Sequence, residues 1–245
     1  MDKRYERQII KEGYTVIDNI IDKVYIESVF EEINNKYIKN NSFKKGLLVG
    51  DKRYMLNIEL DLNIIDERIF ASKELINIIY NLLGKRAIIE SFGVVFSLPG
   101  AKKQQLHRDG NILFDEVSVK GNASIAGLIP PYALTLGIPL IDMNEETGTT
   151  QIEARSHRYI EADQKILKKP YLSKGSIMLW DFRSLHCGGA NKSKVLRPLI
   201  YITYSRDWWR DCDNYEKLNQ RRVNINSKSI SRIKPNFRSL FKYCY

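Results

Sequence analysis

Five short runs of β-branched and aromatic residues, separated by Gly, Pro and Asn, constrain the fold of this 245-residue chain most. Such residues are enriched in strands, whereas Gly, Pro and Asn are typical of the turns between strands. No helical pattern alternates with the runs, so the crossovers of a parallel sheet are missing. The pattern therefore predicts a sandwich or jelly roll. From residue 87 onward, the runs are AIIESFGVVFSL, YALTLGIPLI, GTTQIEA, GSIMLWDF and RPLIYITYS.

The first 85 residues are predicted to be mainly helical after one short strand, GYTVIDN. Asp22 is placed to cap one helix, and Ser72 is placed to cap a second helix that Gly84 ends. Behind both caps, apolar residues recur at the three-and-four spacing of one buried face. These helices carry no polar constellation of their own, so we expect them to pack outside the β core.

The chain has no low-complexity linker and no internal repeat, which predicts a single domain. Its length is sufficient to bury one substantial core. Within that domain we expect three parts: a mainly helical flank (1–85), a jelly-roll core (86–210) and a basic C-terminal extension (211–245).

The N-terminal segment MDKRYERQIIKEGY is charged and lacks the apolar core of a secretory signal. No apolar run approaches the roughly 20 residues that a membrane helix needs. The three cysteines are odd in number and lack the spacing of a zinc site. We therefore expect a cytoplasmic protein with free, structural thiols.

The net charge of +10 is concentrated near the C-terminus, where residues 218–245 include seven Lys or Arg and no acid. Such a tail could contact nucleic acid or an anionic membrane, or it could be a solvated or loosely docked extension. No RNA- or DNA-binding signature accompanies the tail, and its apolar residues could pack on the body. Nucleic acid is therefore not the expected partner.

Two polar segments lie at the ends of predicted strands. His107 and Asp109 in QLHRDG follow the first β run, and His186 follows the fourth. If residues 105–109 are extended, His107 and Asp109 lie on one face of a strand. Two imidazoles and one carboxylate can hold non-haem Fe(II) while leaving coordination positions open. A jelly roll would bring His186 beside them, although spacing alone also fits ordinary polar residues at strand ends.

Several ordered motifs resemble the phytanoyl-CoA dioxygenase family of Fe(II)- and 2-oxoglutarate-dependent oxygenases, from about residue 13 to residue 215. GYTVIDNIIDKVYIESVFEEI is similar to the family's opening strand and helix, and SLPGAKKQQLHRDG is similar to its HxD segment. NEETGTTQIEARSHR and KGSIMLWDFRSLHCGGANKSKVLRP resemble the stretch between the ligands and the segment of the second histidine. One departure is the sequence ARSH at 154–157, which lacks the family's Pro-Gly turn.

The resemblance implies an enzyme with a double-stranded β-helix (jelly roll, cupin-like) core and a metal site in which His107, Asp109 and His186 are the iron ligands and catalytic residues. Arg197 would bind the distal carboxylate of 2-oxoglutarate. With O2, decarboxylation of 2-oxoglutarate to succinate and CO2 would be coupled to hydroxylation, or another oxidation, of a C–H bond in a small-molecule substrate. Halogenating relatives replace the aspartate with a small residue, so Asp109 favours oxygenation.

Further predictions concern the surroundings of this site. Thr135 is predicted to contact 2-oxoglutarate and Gln105 to contact substrate, although each could equally be a satisfied core polar residue. His157 is predicted to stabilise a turn and not to bind metal. Trp180, Asp181 and Arg183 precede His186 and are predicted to orient it.

Substrate specificity is expected in the segment 111–131 and in the helical region before residue 87. The excess of basic residues suggests an acidic or phosphorylated substrate. Two alternatives compete with a small-molecule oxygenase: a non-catalytic jelly-roll protein that binds a metal or ligand, and an oxygenase that acts on a nucleic-acid-associated substrate.

Overall fold

Short antiparallel strands dominate the protein and form two sheets, with helices outside the larger sheet. The computed structural model describes residues 3–61, 65–110, 112–113, 124–159, 167–212, 214 and 222–244. The strands are Tyr14–Ile17 (β1), Leu47–Gly50 (β2), Arg53–Leu56 (β3), Ile88–Ser97 (β4), Ala133–Pro139 (β5), Thr150–Glu153 (β6), Leu167–Lys168 (β7), Ile177–Asp181 (β8), His186–Gly188 (β9) and Arg197–Ser205 (β10). The α-helices are Arg4–Glu12 (α1), Lys23–Ile33 (α2), Glu67–Phe70 (α3), Lys73–Leu83 (α4), Ser124–Leu128 (α5) and Ser227–Arg232 (α6), a π-helical segment spans Asn34–Ile38, and 3-10 helices span Ser42–Lys45, Ser156–Arg158 and Pro235–Phe241.

Within the described residues, the larger sheet has seven strands in the order β1-β8-β5-β10-β4-β3-β2, and the smaller has three in the order β7-β6-β9. All the paired strands are antiparallel. An apolar cluster that includes Ile152 of β6, Met178 of β8 and Leu199 of β10 joins the two sheets. This architecture confirms the predicted jelly roll with its mainly β composition.

Each of the five predicted β runs contains a strand: β4, β5, β6, β8 and β10. The hairpin of β2 and β3 was not predicted, because it falls in the flank assigned mainly to helices. Together with β1, this hairpin adds three strands from the first 85 residues to the larger sheet. The N-terminal flank therefore supplies part of the β core as well as the helices that cover it.

Strand β10 shows how the larger sheet divides its two faces. Ile200, Ile202 and Tyr204 belong to the large apolar cluster that the sheet shares with the helices. The alternate residues Arg197 and Tyr201 lie on the opposite face, because successive side chains of a strand point to opposite sides. That face meets the smaller sheet and holds the polar site described below.

The predicted helix ends are largely confirmed. The Asp22 side chain accepts a hydrogen bond from the backbone N–H of Tyr25 at 3.0 Å and so caps α2. Ser72 occupies the N-cap position of α4, but its side chain makes no cap hydrogen bond. Gly84 ends α4 with a φ of +92°, which few other residues adopt without strain. Among the described residues, no helix has the length and apolar character to cross a membrane.

The C-terminal extension packs against the body of the protein. The backbone N–H groups of Phe92 and Leu60 donate to the carbonyl oxygens of Arg222 and Asn224. Phe241 lies edge-on to Phe70 of α3, with ring centroids 5.2 Å apart. The described apolar residues of the extension that join the core are Val223, Ile225, Ile233, Leu240 and Phe241.

Candidate metal centre

Backbone pairing brings the two predicted histidine ligands together. The N–H of His107 donates to the carbonyl of His186 at 3.0 Å, and the N–H of His186 donates to the carbonyl of His107 at 2.8 Å. The expected extended strand over 105–109 is wrong in detail, because only His107 forms an isolated bridge and the rest of the segment is irregular. The tight bridge to β9 takes the place of a regular strand in positioning His107.

Both imidazole rings are oriented by backbone carbonyls. Nδ1 of His107 lies 2.9 Å from the carbonyl of Gln105, and Nδ1 of His186 lies 3.0 Å from the carbonyl of Ser184. A hydrogen on each Nδ1 therefore leaves Nε2 as the basic nitrogen, which is how a metal-binding histidine is commonly fixed. Nε2 of His186 lies 3.4 Å from Oδ1 of Asp109. One potential ligand atom from each of His107, Asp109 and His186 lies within 4.8 Å of the others.

The electrostatics of His186 suit a neutral ligand. Its side chain is only 2% exposed, and burial lowers its pKa below 6.5, partly opposed by the nearby Asp109 carboxylate. A neutral imidazole keeps the lone pair that a metal requires. The Trp180 ring lies beside His186, with centroids 5.3 Å apart. Ring contact and backbone hydrogen bond together fix this ligand.

Thr135 of β5 positions the carboxylate ligand. Its hydroxyl donates to Oδ2 of Asp109 at 3.0 Å. The Asn214 side-chain amide also donates to the Asp109 backbone carbonyl at 2.7 Å. Thr135 thus contacts a metal ligand, and its predicted contact with 2-oxoglutarate stays a prediction.

The side chain between the two ligands of the HxD segment points elsewhere. Arg108 donates to the backbone carbonyls of Ser156, Arg183 and Tyr159. The middle side chain of the HxD segment therefore points away from the two ligands, as in a strand, although this segment is not a regular strand. The carbonyls that bind Arg108 lie in the segments after β6 and β8, so this residue ties the HxD loop to both.

Two of the predicted orienting residues before His186, Asp181 and Arg183, have a different role. Arg183 makes a buried two-pronged ion pair with Asp181, with Nε–Oδ1 and Nη2–Oδ2 distances of 2.8 Å. Nη1 of Arg183 also donates to the carbonyl of Ile129 at 3.0 Å. Neither side chain has a hydrogen bond to His186. They stabilise the turn between β8 and β9, and Ser184 supplies the contact that orients the ring.

Arg197 begins β10 and is 2% exposed. Nη1 donates to the carbonyl of Thr147 at 2.9 Å, and Nη2 donates to the hydroxyl of Ser97 at 2.9 Å. Its Nε has no hydrogen-bond partner among the described residues. Burial, reinforced by the charge of nearby Arg53, lowers its pKa to about 10.

Arg53 is a functional candidate that the sequence did not predict. It is 1% exposed, and both Arg53 of β3 and Arg197 of β10 are opposite Ser97 of β4. The two guanidinium groups share one acceptor, the carbonyl of Gly189, at 2.9 Å from Arg53 Nη2 and 3.3 Å from Arg197 Nη1. Nε and Nη1 of Arg53 have no partner within the described part of the chain. A side chain at Gly188 would collide with Arg53, since an added Cβ would lie 1.8 Å from Nη1.

A cavity of about 1200 Å³ opens beside the metal centre. Gln105 is one of its wall residues, and its predicted contact with the substrate stays a prediction. Most of the predicted specificity segment 111–131 lies outside the described residues. The unpredicted β2–β3 hairpin forms another wall, together with the HxD loop and three residues after β10: Asp211, Asn214 and Asn224.

The third histidine, the cysteines and two of the tryptophans are not part of the metal-ligand group. The buried His157 ring places Nε2 3.1 Å from the carbonyl of Ile10, and His157 is not part of the metal-ligand group. Cys187 is also buried outside that group, and it is one of three free cysteines in the described chain. Trp209 packs against Tyr132 and Phe182, while Trp208 is largely exposed.

A jelly roll that places two histidines and one aspartate around a single point defines a non-haem iron protein of the facial-triad class. A family model described as phytanoyl-CoA dioxygenase matches residues 10–199. The chain therefore belongs to the phytanoyl-CoA dioxygenase family, as the sequence motifs indicated. The donor set and the family together confirm the predicted iron and 2-oxoglutarate dependence.

Solved structures of low sequence identity share the fold. HygX from Streptomyces hygroscopicus, solved with nickel and 2-oxoglutarate, has a TM-score of 0.64 at 13% identity, covering 90% of this chain and 94% of HygX. The epimerase SnoN, in complex with Fe3+, alpha ketoglutarate and nogalamycin RO, has a TM-score of 0.60 at 14% identity, covering 86% of each chain. The non-heme monooxygenase ThoJ, as its nickel complex, has a TM-score of 0.60 at 16% identity, covering 82% of this chain and 77% of ThoJ.

Proposed function

We propose that this protein is an Fe(II)- and 2-oxoglutarate-dependent dioxygenase that hydroxylates a C–H bond of a small molecule and releases succinate and CO2. The observation that carries the proposal is a complete His-Asp-His donor set together with a buried pair of arginines with unpartnered N–H groups; the charges of Asp109 and of both arginines act on the same side chain, Tyr201. The site accounts for both halves of the proposal, since one group of residues suits a metal and the other suits a dicarboxylate.

The arginine pair is the proposed site for the distal carboxylate of 2-oxoglutarate. Two guanidinium groups that share the Gly189 carbonyl repel each other, and burial lowers the pKa of both Arg53 and Arg197. No described carboxylate forms an ion pair with either arginine. Buried charges are normally paired, and a guanidinium fork matches the geometry of a carboxylate. A bound carboxylate would accept the unused N–H groups and compensate both charges.

When bound, iron with 2-oxoglutarate and O2 supplies the oxidation of an unactivated C–H bond, coupled to decarboxylation of the ketoacid. In this mechanism His107, Asp109 and His186 hold the metal, and Thr135 keeps the Asp109 carboxylate oriented toward it. Arg53 and Arg197 anchor the far end of the ketoacid. The adjacent cavity holds the substrate with its reacting carbon close to the metal centre and limits the access of water.

Hydroxylation is proposed over halogenation because Asp109 completes the triad and leaves no ligand position that is vacated for a halide. The fold itself does not select the reaction, since one solved relative is an epimerase and another a monooxygenase. A non-catalytic binding role has less support, because such a role does not require the intact triad and the arginine pair together. A cytoplasmic location also stays a prediction, supported by the free cysteines.

Turnover without substrate tests this function. Protein supplied with Fe(II), 2-oxoglutarate and air should release succinate slowly, because 2-oxoglutarate decarboxylation proceeds to some extent uncoupled. His107→Ala and Asp109→Ala should lose this activity, whereas Thr15→Val, a buried change on β1 away from the metal, should retain it. Succinate release by folded, iron-loaded protein that is no faster than release by His107→Ala would contradict the proposal.

A further inference from the structure

The chain beyond the family match contributes a wall to the cavity at the metal centre. The match ends at residue 199, and all three metal ligands precede that position. Thr203, Asn214 and Asn224 follow it and line the cavity. The wall is close to the metal, because the Asn214 side-chain amide donates to the Asp109 backbone carbonyl at 2.7 Å.

The charged side chains of this wall balance one another. Glu90 of β4 pairs with Arg210 and Arg222, and Nε of Arg210 lies 3.0 Å from its carboxylate. Asp211 accepts hydrogen bonds from Asn214, and the charge of Arg222 also acts on its carboxylate. Two acids and two arginines therefore form one group without excess charge. This group holds the wall on the larger sheet and does not call for a charged ligand.

The other charged residues that line the described cavity are also accounted for. Asp109 is a metal ligand, and Arg108 donates to three backbone carbonyls under the charges of Glu153 and Asp181. Three more are exposed, so that solvent screens their charges: Lys45, Asp51 and Lys103. Beyond the metal ligands, the described wall therefore presents no unbalanced buried charge to a substrate.

Two hydroxyls with no described partner lie beside the metal centre. Ser91 of β4 and Thr203 of β10 are opposite each other in the sheet, line the cavity and are 6% and 7% exposed. Neither side chain has a hydrogen bond among the described residues. Thr135, the next residue in this cross-strand row, binds Asp109. Because neighbouring strands lie about 4.8 Å apart, the two hydroxyls follow each other at steps of about one strand spacing from Thr135.

A β-bulge brings Glu90 and Ser91 to the same wall. Thr203 is opposite Ser91, but Tyr204 is opposite Ile89, so Glu90 is the extra residue of the bulge. In a regular strand, two successive side chains would point to opposite faces. The bulge re-aims them, so that Glu90 binds the C-terminal extension while Ser91 lines the cavity.

The remaining walls combine neutral amides with apolar side chains. Gln105 of the HxD loop and Asn224 of the extension line the cavity, and neither side chain has a hydrogen bond within the described part of the chain. The β2–β3 hairpin contributes four apolar residues to the lining: Leu47, Val49, Met55 and Leu56. A substrate therefore meets neutral hydrogen-bonding groups and apolar surface in one cavity.

This combination of surfaces restricts the chemistry of the substrate. A ligand that displaces water from the two hydroxyls must replace the hydrogen bonds of that water, which an aliphatic chain does not do. A charged group would lose its hydration without gaining a counter-ion from the described wall. A sugar ring has hydroxyl groups at its edge and C–H groups on its faces, so it matches both surfaces. The cavity of about 1200 Å³ has room for two such rings beside the ketoacid.

We propose that the substrate is a neutral molecule with several hydroxyl groups and about the size of a disaccharide, and that Ser91 and Thr203 bind its hydroxyls. This inference rests on the proposed function, because it places the hydroxylated part of the substrate beside the metal centre. A neutral substrate replaces the acidic or phosphorylated one that the composition suggested, since the lysines of the described lining, Lys45 and Lys103, are exposed to solvent.

Disaccharides of different charge test the proposal. The neutral probes are cellobiose, maltose and sucrose, the cation is the disaccharide of two glucosamines, the anion is maltose 1-phosphate, and the apolar probe is 1-octanol. Each is titrated under argon into the protein with Fe(II) and 2-oxoglutarate, and binding is measured by calorimetry. We expect at least one neutral disaccharide to bind about tenfold more tightly than either charged disaccharide and than 1-octanol.

Two variants test the assigned residues. Thr203→Val keeps the size of the side chain and removes its hydroxyl, so the neutral disaccharide should bind about fivefold more weakly, and Ser91→Ala should have a similar effect. Thr15→Val should leave binding unchanged, because the Thr15 hydroxyl bonds to Gln8. The metal-to-ketoacid absorption band should be the same in all three variants, which shows that the metal centre is intact.

The inference is overturned if no neutral disaccharide binds, if a charged disaccharide or 1-octanol binds equally or more tightly, or if both Ser91→Ala and Thr203→Val bind like the wild type. The absorption band before any probe is added separates the two proposals. If the band is absent, the proposed function fails, while calorimetry still reports on the sugar site. If the band is present without a preference for a neutral disaccharide, only this inference fails.

Discussion

At the scale of single residues, the hydrogen bond from Thr135 to Asp109 shapes the metal centre most directly. An aspartate ligand can rotate about its side-chain bonds, whereas the two histidines are fixed by backbone carbonyls. The Thr135 hydroxyl occupies Oδ2 and thereby leaves Oδ1, which lies 3.4 Å from Nε2 of His186, directed at the metal position. Contacts of this kind support the geometry and basicity of metal ligands.

Thr135→Val keeps the size of the side chain and removes the hydroxyl. We expect Fe(II) affinity to fall by about tenfold, the lower end of the effect seen when a hydrogen-bond partner of a metal ligand is lost. Competition against a metal-binding dye under argon measures this change. Thr15→Val serves as the control, because the Thr15 hydroxyl bonds to Gln8 far from the metal. Equal Fe(II) affinity in both variants would show that Thr135 does not position Asp109.

The residues of the site differ in how far the sequence reveals them. His107, Asp109 and His186 could be predicted because only three histidines occur and two of them have the spacing of a known ligand set. Arg53 could not be predicted, because nothing in its neighbouring sequence distinguishes a buried arginine from the other Lys and Arg residues, 39 in all. Its position depends on the pairing of β3 with β4, a long-range contact that only the folded sheet creates.

At the scale of secondary structure elements, the C-terminal extension is part of the folded body. Its basic composition suggested a solvated or loosely docked tail, but five apolar residues of its described part are buried: Val223, Ile225, Ile233, Leu240 and Phe241. Arg238 also donates to the carbonyls of Ile233 and Ser231, which folds the extension on itself. The β strands of the core were predictable from residue type, whereas the docking of this extension depends on the surface it meets.

Phe241→Ala should destabilise the whole protein. Phe241 is fully buried against Phe70, so truncation should lower the free energy of unfolding by about 3–5 kcal/mol. Urea denaturation monitored by circular dichroism measures the loss, and Lys228→Ala on the exposed side of α6 should change the midpoint little. An unchanged midpoint for Phe241→Ala would mean that the extension is not part of the cooperative fold.

At the scale of the whole molecule, His157 joins the N-terminal helix to the smaller sheet. Its buried ring contacts the Ile10 carbonyl of α1 from the 3-10 helix that follows β6. Burial lowers the pKa of His157 below its ordinary value of 6.5. The unfolded chain therefore binds a proton at a higher pH than the folded chain does. The contribution that His157 makes to the free energy of unfolding is therefore fully present above pH 6.5, and it is lost as the pH falls below that value.

His157→Gln should flatten the acid side of the stability profile. Glutamine can still donate to the Ile10 carbonyl but does not titrate, so the free energy of unfolding of the variant should fall less between neutral pH and mildly acidic pH. Urea midpoints of wild type and variant without metal, collected across this range, give the comparison. His186 is unchanged in both proteins, so its contribution cancels. Parallel profiles would contradict this role of His157.

The central claim is that one site holds iron through the triad and 2-oxoglutarate through the arginine pair. The most direct measurement is a titration of 2-oxoglutarate into the iron-loaded protein under argon, followed by visible absorption of the metal-to-ketoacid complex. Wild type should give a saturable band, His107→Ala should give none, and Arg53→Met should need at least about tenfold more 2-oxoglutarate for half saturation while binding Fe(II) normally. Absence of the band in folded, iron-loaded wild type, or an Arg53→Met titration that overlays the wild type, would contradict the claim.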